Sequence, residues 1–260
     1  MDIITIGDNC IDVYSFQNKS YPGGNAVNVA VYSKRYGVGA SYVGVVGSDE
    51  NGEKIIEEMQ NHNVDISHLH VNEGQTAVTH VELKENDRCF VNYEEGVMAN
   101  FTLSPDDILH INNHKIVHSA ISGHCECYFQ RFKQSGMITS FDFSDEINSP
   151  LTQWLPQFVD YSFFSYEGDD NFIRDFLLKV QKLGCKVAIA TLGEEGSIAY
   201  DGVEFYKLGV KNTKLVDTMG AGDSFISGFL YGVLNKYSTK RCLEIGTENA
   251  ARTITYYGAW

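Results

Sequence analysis

The chain has 260 residues, 43% of them hydrophobic, which is enough for one large α/β domain and too apolar for a disordered protein. Its 20 basic and 34 acidic side chains leave a net charge of −14, which argues against nucleic acid or an anionic membrane as partner because both require a basic surface. The six cysteines lack metal-ligand spacing, and the sequence shows neither a signal peptide nor an apolar run of about 20 residues, so we expect a cytoplasmic protein.

The first quarter of the chain predicts alternating strands and helices. Short apolar runs at residues 3–7 and 40–47 are typical of buried strands, and apolar side chains at helical spacing mark residues 23–36. Residues 50–62 predict a second helix with acidic side chains at its start.

Residues 76–95 follow a different pattern. The loosely alternating residues 76–83 and the extended run 88–93 flank a turn cluster, which predicts an antiparallel hairpin with a half-polar face. Residues 13–21 predict a third strand of the same kind. We therefore expect a small β-sheet, built from about 13–21 and 76–95, inserted in a single domain that spans 1–260.

Strands and helices alternate again after the hairpin, and Asp201-Gly202 marks a tight turn between two strands. The predicted strands are 115–118, 139–143, 161–164, 186–191, 197–200 and 204–207, and the predicted helices are 169–183, 222–234 and 240–256. This alternation predicts an α/β fold whose mainly parallel central sheet is covered by helices on both faces.

The strongest functional pattern is the stretch 217–223, which leads directly into a predicted helix. The small residues Gly220, Ala221 and Gly222 let the backbone approach an anion at a helix N-terminus. Asp223 is suited to accept the proton of an attacking hydroxyl. The alternatives are an N-cap role for Asp223 and a tight strand-to-helix turn for the small residues. The first reading predicts phosphoryl transfer to an alcohol.

Two common nucleotide motifs are missing from the sequence, namely G-x-x-x-x-G-K-[ST] and a G-x-G-x-x-G after the first strand, so a P-loop protein and an NAD-dependent enzyme are disfavoured. Instead, residues 217–223 resemble the C-terminal signature of the ribokinase-like (PfkB) sugar kinases. Residues 23–30, followed by Gly37 and Gly47, resemble the N-terminal signature of that family. The resemblance covers essentially the whole chain and implies a three-layer αβα domain, ATP as phosphoryl donor and the hairpin as a substrate lid.

The resemblance also implies roles for the matching positions. Asp223 would be the general base, and Gly220, Ala221 and Gly222 would form an anion hole. The substrate-binding candidates are Asp8, Asp12, Gly23, Gly24, Asn28 and Arg88. Turn formation is the alternative for Asp8 and Asp12, and a local cap is the alternative for Asn28. Arg88 suits either a substrate carboxylate or a solvated hairpin position.

A loop at residues 191–196 follows a buried strand at its carboxyl end, where ligands of α/β sheets bind. In the family, this loop runs along the nucleotide phosphates, and the last helix borders the adenine pocket. The nucleotide-binding candidates are therefore Thr191, Gly193, Gly196 and Asn249.

One departure from the family concerns cations. Residues 165–168 stand where the family carries N-x-x-E, so Glu167 or Asp169 would have to act on Mg²⁺ through water. Asp217, with the carbonyl of Gly258, is the candidate site for a monovalent cation, and K⁺ is the expected ion.

Further stretches resemble family members that act on sugar–amino-acid adducts. They are residues 7–10, 24–32, 64–68, 95–99, 141–145 and 258–260. They imply transfer of phosphate from ATP to the primary 6-hydroxyl of fructoselysine, with Asp142 or Asp145 available to an ammonium group. The alternatives are another ketose or a nucleoside as substrate, or a catalytically silent sugar-binding protein. The exposed hairpin edge would permit a homodimer through the lid.

Overall fold

The computed structural model describes residues 2–84 and 87–260, and the side chains of residues 83–90 lie outside the described part. The strands are β1 (Ile3–Ile6), β2 (Cys10–Tyr14), β3 (Lys19–Gly23), β4 (Ala40–Gly47), β5 (Asp65–Asn72), β6 (Val78–Lys84), β7 (Asp87–Glu94), β8 (Ile116–Ala120), β9 (Ile138–Asp142), β10 (Tyr161–Ser165), β11 (Val187–Thr191), β12 (Ser197–Tyr200) and β13 (Phe205–Leu208). The α-helices are α1 (Asn25–Arg35), α2 (Glu50–Asn61), α3 (Pro105–Ile111), α4 (Phe129–Gln134), α5 (Asn171–Lys182), α6 (Ala221–Leu234) and α7 (Thr239–Thr253).

The described strands form two sheets. The central sheet has nine strands in the order β13-β12-β11-β10-β9-β8-β1-β4-β5. Its strands from β11 to β5 are parallel, and β12 and β13 add an antiparallel edge. The second sheet has the order β3-β2-β6-β7. The predicted α/β architecture with a mainly parallel sheet and a separate small sheet is confirmed.

The central strands are buried on both faces. Ile116 and Phe163 pack into one apolar cluster, whereas their neighbours Val117 and Phe164 pack into another. Because successive strand residues point to opposite faces, a strand between two helical layers reads as a continuous apolar run. The parallel strands also end at a common edge, which is where ligands bind in open α/β sheets.

The structure differs from the sequence prediction in one hairpin, one strand and two helices. Residues 13–21 are not one strand, because β2 and β3 form a hairpin around a short 3₁₀ turn at Ser15–Gln17. Strand β5 was not predicted, since it lies at the edge of the sheet and mixes polar with apolar side chains. Helices α3 and α4 were also missed, because seven and six residues are too few to show helical periodicity.

Helices α1, α6 and α7 form a packed unit beside the central sheet. The contact between α6 and α7 is close because a glycine lies on it. A Cβ added to Gly228 would lie 2.9 Å from the carbonyl oxygen of Ile245 and 3.0 Å from the Cα of Gly246. Within residues 2–84 and 87–260, no helix has the length and apolar character that a membrane span requires.

Candidate active site

The N-terminal turns of α1 and α6 meet at the centre of the site. Asp223 in the first turn of α6 is partly buried and accepts hydrogen bonds from two amides of α1. Asn25 Nδ2 donates to its Oδ1 at 2.7 Å, and Asn28 Nδ2 donates to its Oδ2 at 2.6 Å. The N-cap of α6 is Gly220, without a side-chain cap, so the alternative N-cap role of Asp223 is not found.

The environment of Asp223 disfavours its negative charge. Burial, with the nearby carboxylates of Asp142 and Asp8, raises its pKa to about 8, although the hydrogen bonds from Asn28 and Asn25 act in the opposite direction. A general base works best when its pKa lies near the operating pH. The position therefore suits a side chain that accepts a proton during the reaction.

Asp142 at the carboxyl end of β9 is the second carboxylate of the site. Its Oδ2 accepts a hydrogen bond from Asn25 Nδ2 at 2.8 Å, and its Oδ1 accepts one from the backbone N–H of Ser144 at 2.9 Å. Burial, with the charge of Asp8, raises the pKa of Asp142 to about 7. Asn25 thus joins two carboxylates, whereas the other candidate for an ammonium group, Asp145, is exposed.

Asp8 and Gly24 shape the turn that starts α1. The Oδ2 of Asp8 accepts from the backbone N–H of Asn25 at 2.6 Å, and its Oδ1 accepts from that of Ala26 at 3.3 Å. Gly24 has a φ of 102°, and an added Cβ would lie 2.6 Å from the Cα of Asn9. Both residues therefore have structural roles, and their contact with a substrate stays a prediction.

Asp12 and Gly23 lie side by side on the paired strands β2 and β3. Asp12 is buried, and a Cβ added to Gly23 would lie 2.2 Å from its Oδ2. The Sγ of Cys10 donates to its Oδ1 at 3.4 Å. Any larger residue at position 23 would therefore displace the carboxylate of Asp12. Arg88 lies on β7 of the same sheet, and its side chain lies outside the described residues.

The small-residue loop precedes α6 with a left-handed turn. Gly220 has a φ of 71°, and an added Cβ would lie 2.7 Å from the hydroxyl of Tyr32. The backbone N–H of Ala221 donates to the carbonyl of Thr218 at 3.1 Å, so this donor serves the turn itself. A Cβ at Gly222 would meet no atom within 4 Å, so this side of the loop is open.

A cavity of about 630 Å³ lies against this loop. Its wall includes Thr191, Gly193 and Gly196 from the predicted nucleotide loop, together with Ala221 and Gly222. The apolar part of its wall is formed by Val210, Leu215, Phe225, Ala250, Ala251 and Ile254. A volume of this size is within the range for a cofactor-sized ligand.

Asn249 lies close to this cavity but is not among the residues that line it. Its Nδ2 donates to the carbonyl of Ser224 at 2.6 Å, which ties α7 to α6. The structure therefore gives Asn249 a packing role, and its contact with a nucleotide stays a prediction.

Asp217 stabilises the start of the small-residue loop through three hydrogen bonds. Its Oδ2 accepts from the hydroxyl of Tyr14 at 3.0 Å and the backbone N–H of Gly258 at 2.9 Å, and its Oδ1 accepts from the N–H of Met219 at 3.0 Å. Among the described residues, no group of three or more His, Cys, Asp or Glu side chains is arranged to hold a metal ion. A cation at Asp217 stays a prediction.

Residues 165–169 border the nucleotide loop. The hydroxyls of Ser165 and Thr191 lie 3.2 Å apart, and Glu167 is exposed. Asp169, in contrast, forms ion pairs with Arg174 at 2.7 Å and Lys207 at 3.0 Å. The hydrogen bond from Arg174 is the main reason why the pKa of Asp169 falls to about 2. Of the two carboxylates predicted to act on Mg²⁺, Asp169 is therefore already paired with two basic side chains.

Sequence reasoning missed three polar side chains that complete the site, namely Asn25, His118 and Trp260. The Nε1 of Trp260 donates to Asn28 Oδ1 at 2.7 Å, and the Nε2 of His118 lies 2.8 Å from Asn25 Oδ1. Asn25 stands inside the N-terminal signature and Trp260 inside the stretch 258–260, but neither pattern indicated a role for the side chain. Nothing local marks His118, because its partner Asn25 is distant in the sequence.

The comparisons with known proteins agree with this geometry. The family model described as pfkB family carbohydrate kinase matches residues 2–150 and 165–260. Fructoselysine 6-kinase of Escherichia coli (strain K12) is 46% identical over 258 residues, covering 99% of each chain. Fructosamine kinase FrlD of Bacillus subtilis (strain 168) is 31% identical over 266 residues, covering 100% of this chain and 93% of the relative.

The fold is also that of solved sugar kinases. The structure of Arabidopsis thaliana ribokinase complexed with ribose and ATP matches with a TM-score of 0.84 at 20% identity, covering 99% of this chain and 93% of that one. The resemblance inferred from the two glycine-rich signatures is confirmed, and the chain belongs to the pfkB family of carbohydrate kinases.

Proposed function

We propose that this ATP-dependent carbohydrate kinase phosphorylates the primary 6-hydroxyl of fructoselysine. The observation that carries the proposal is the position of Asp223, held by two amides of α1 beside the open loop and the cavity. The names of the relatives at 46% and 31% identity support a sugar–amino-acid adduct as substrate.

In the proposed reaction, a carboxylate oxygen of Asp223 accepts the proton of the 6-hydroxyl as its oxygen attacks the γ-phosphorus. The new P–O bond forms while the bond between the γ-phosphorus and the β–γ bridging oxygen breaks, and ADP leaves with that electron pair. The loop at Gly220 and Gly222 lies where a phosphate would meet the N-terminus of α6, so its dipole favours the charge of the transferring group.

ATP would occupy the cavity between the loop at residues 191–196 and helix α7. The apolar wall suits a base, and Thr191 and Gly193 are placed for the phosphates. Mg²⁺ bound to the β- and γ-phosphates would neutralise their charge. Oxygen donors suited to it or to its waters are the hydroxyls of Ser165 and Thr191 and the carboxylate of Glu167.

The sugar would lie on the opposite side of Asp223, between the N-terminal turn of α1 and the small sheet. Asp12, Gly23 and Asn28 lie on this side. We assign Asp142 rather than Asp145 to the substrate's ammonium group, because Asp142 is a buried carboxylate of the site, whereas Asp145 is exposed. A neutral ketose would leave Asp142 without that partner.

The test is ATP consumption with fructoselysine, fructose and a nucleoside, for the wild type and for Asp223→Asn. We expect fructoselysine to give the highest kcat/KM, and the variant to lose about 10²–10⁴-fold in kcat, which is the usual contribution of a general base. Undiminished turnover in Asp223→Asn would contradict the base assignment. Higher kcat/KM on fructose would contradict the adduct, and no turnover on any sugar would favour a silent sugar-binding protein.

The finer predictions on assembly and cations also remain proposals. A homodimer through the small sheet is supported by the exposed side chains of Val91 and Tyr93 on β7, an edge strand. Light scattering that gives a monomer mass at micromolar concentration would contradict it.

A K⁺ requirement through Asp217 is tested by replacing K⁺ with Na⁺ in the kinase assay. Equal rates of ATP consumption in the two salts would contradict it.

A further inference from the structure

A buried histidine lies behind the amide that holds the catalytic carboxylate. His118 on β8 pairs with Thr5 of β1 and Ser140 of β9, and its side chain is fully buried. Its Nε2 lies 2.8 Å from Asn25 Oδ1, and its Nδ1 lies 2.9 Å from Ser140 Oγ. Both ring nitrogens are therefore within hydrogen-bond distance of a single polar atom each.

The chemistry of these partners fixes the tautomer of the ring. The Nδ2 group of Asn25 faces the carboxylates of Asp142 and Asp223, which accept hydrogen bonds when ionised. Its Oδ1 therefore faces His118, and Nε2 must carry the proton that it accepts. The Nδ1 atom then accepts from the hydroxyl of Ser140. Burial lowers the pKa of His118 to about 3, so the ring stays neutral at any working pH.

We propose that His118 is a positioning residue for phosphoryl transfer, which holds the Asn25 amide with its two N–H donors directed at Asp142 and Asp223. Without the ring N–H, Asn25 Oδ1 is left without its donor, and the amide is held less firmly in the position from which its two N–H groups reach both carboxylates. The proposal goes beyond the kinase activity and rests on the role of Asp223 as the base.

The effect on pH dependence follows from the groups that face Asp223. They are Asn25, Asn28 and Tyr32 of α1, Asp142 at the carboxyl end of β9, and Asp8 after β1. The amides favour the ionised form of Asp223, and the carboxylates disfavour it. Loss of one amide donor would raise the pKa of Asp223 further. The acidic limb of the pH–rate profile should then move to higher pH.

The chain offers a matched control in His114. This ring is also buried, but its Nδ1 lies 3.1 Å from the carbonyl of His110 and its Nε2 lies 2.9 Å from Ser41 Oγ. A carbonyl oxygen only accepts, so His114 carries its proton on Nδ1, which is the opposite tautomer to that of His118. In the described part of the chain, its hydrogen bonds and ring contact are with His110 and Ser41, which lie outside the site.

The kinetic test compares His118→Leu, His118→Gln and His114→Leu in kcat and kcat/KM against pH. We expect His118→Leu to lose about 10–100-fold in kcat with an unchanged KM for ATP, and its acidic limb to move up by about one pH unit. His118→Gln should recover most of both, since its amide can donate near the Nε2 position. A loss of kcat with an unmoved acidic limb, or an equal shift in His114→Leu, would overturn the proposal.

The second test needs no turnover and no stable His118 variant. The ¹⁵N NMR spectrum of the wild type is recorded from about pH 5.5 to about pH 8.5. Over this range His118 should show the Nε2–H form, and His114 should show the Nδ1–H form. A protonated His118, or one with its proton on Nδ1, would overturn the proposal even if fructoselysine is the right substrate. The expected tautomer would support it even if the substrate assignment fails.

Discussion

Asn25 and the two carboxylates it contacts show what the site requires of single residues. Asp142 and Asp223 have pKa values raised to about 7 and about 8, chiefly by burial, and the charge of Asp8 adds to both shifts. Such a pair is poorly stabilised without a positive partner. The residues that make the site reactive are therefore expected to reduce the stability of the fold, as is common for catalytic groups.

Replacement of Asp142 by Asn should make this cost visible. The folded pKa of about 7 lies above the unfolded value, so the contribution of Asp142 to stability is fully present at low pH and is lost as the pH rises through 7. The Tm of Asp142→Asn minus that of the wild type should thus increase from pH 4.5 to pH 8 by about 6–12 °C, which corresponds to a loss of ~3 kcal/mol from the wild type between pH 4.5 and the folded pKa.

The measurement is thermal unfolding at both pH values, with Asp175→Asn as control. Asp175 is exposed on α5, so its replacement should give the same Tm difference at pH 4.5 and pH 8. A constant Tm difference for Asp142→Asn as well would show that ionisation of this carboxyl does not affect folding.

At the scale of elements, two glycines of α6 have opposite requirements. Gly228 faces α7, where an added Cβ would lie 2.9–3.1 Å from backbone atoms of residues 245 and 246. Gly222 faces open space at the cavity. The first glycine permits the packing of two helices, and the second leaves room for a ligand.

Alanine at each position should separate these roles. We expect Gly228→Ala to lower the free energy of unfolding by ~2 kcal/mol, because the backbone atoms of α7 must move. Gly222→Ala should raise it by ~0.5 kcal/mol, since alanine is the better helix former, while kcat/KM for ATP falls. Urea unfolding with an ATP titration measures both. A stability loss in Gly222→Ala would show that its surroundings are not open.

The element scale also shows what sequence can predict. Strand β4 was predicted at its true bounds because its eight consecutive buried residues are mostly apolar or small. The loop before α6 was recognised because its glycines and Asp223 are adjacent in the sequence. Strand β5 is partly exposed and gives no such run, so only its pairing with β4 defines it. Elements with a local sequence pattern can thus be predicted, whereas an edge strand that is defined by pairing with the adjacent strand cannot.

For the whole molecule, the site depends on contacts between distant parts of the chain. The amides of Asn25 and Asn28 are 198 and 195 positions away from Asp223, and Trp260 is 232 positions from Asn28. A hydrogen bond over such a separation leaves no local pattern. This is why Asp223 could be predicted from its own loop, whereas the side chains that hold it could not.

Trp260 gives the strongest test of this long-range support. Trp260→Phe keeps an aromatic ring against His62, whose ring centroid lies 5.0 Å away, but removes the N–H that Asn28 Oδ1 accepts. The Asn28 amide then loses the partner that fixes its orientation toward Asp223. We expect kcat to fall about 10-fold and the free energy of unfolding to fall by ~1 kcal/mol, the usual net contribution of one hydrogen bond.

The other tryptophan provides the control, because Trp154→Phe is the same chemical change at a side chain that is 39% exposed and outside the site. Steady-state rates with saturating ATP and fructoselysine, together with urea unfolding, measure both effects. The affinity for ATP should be unchanged in both variants, since neither tryptophan lines the cavity. If Trp260→Phe turns over as fast as Trp154→Phe, Asp223 is held firmly enough by α1 alone, and the contact of Trp260 with Asn28 serves stability only.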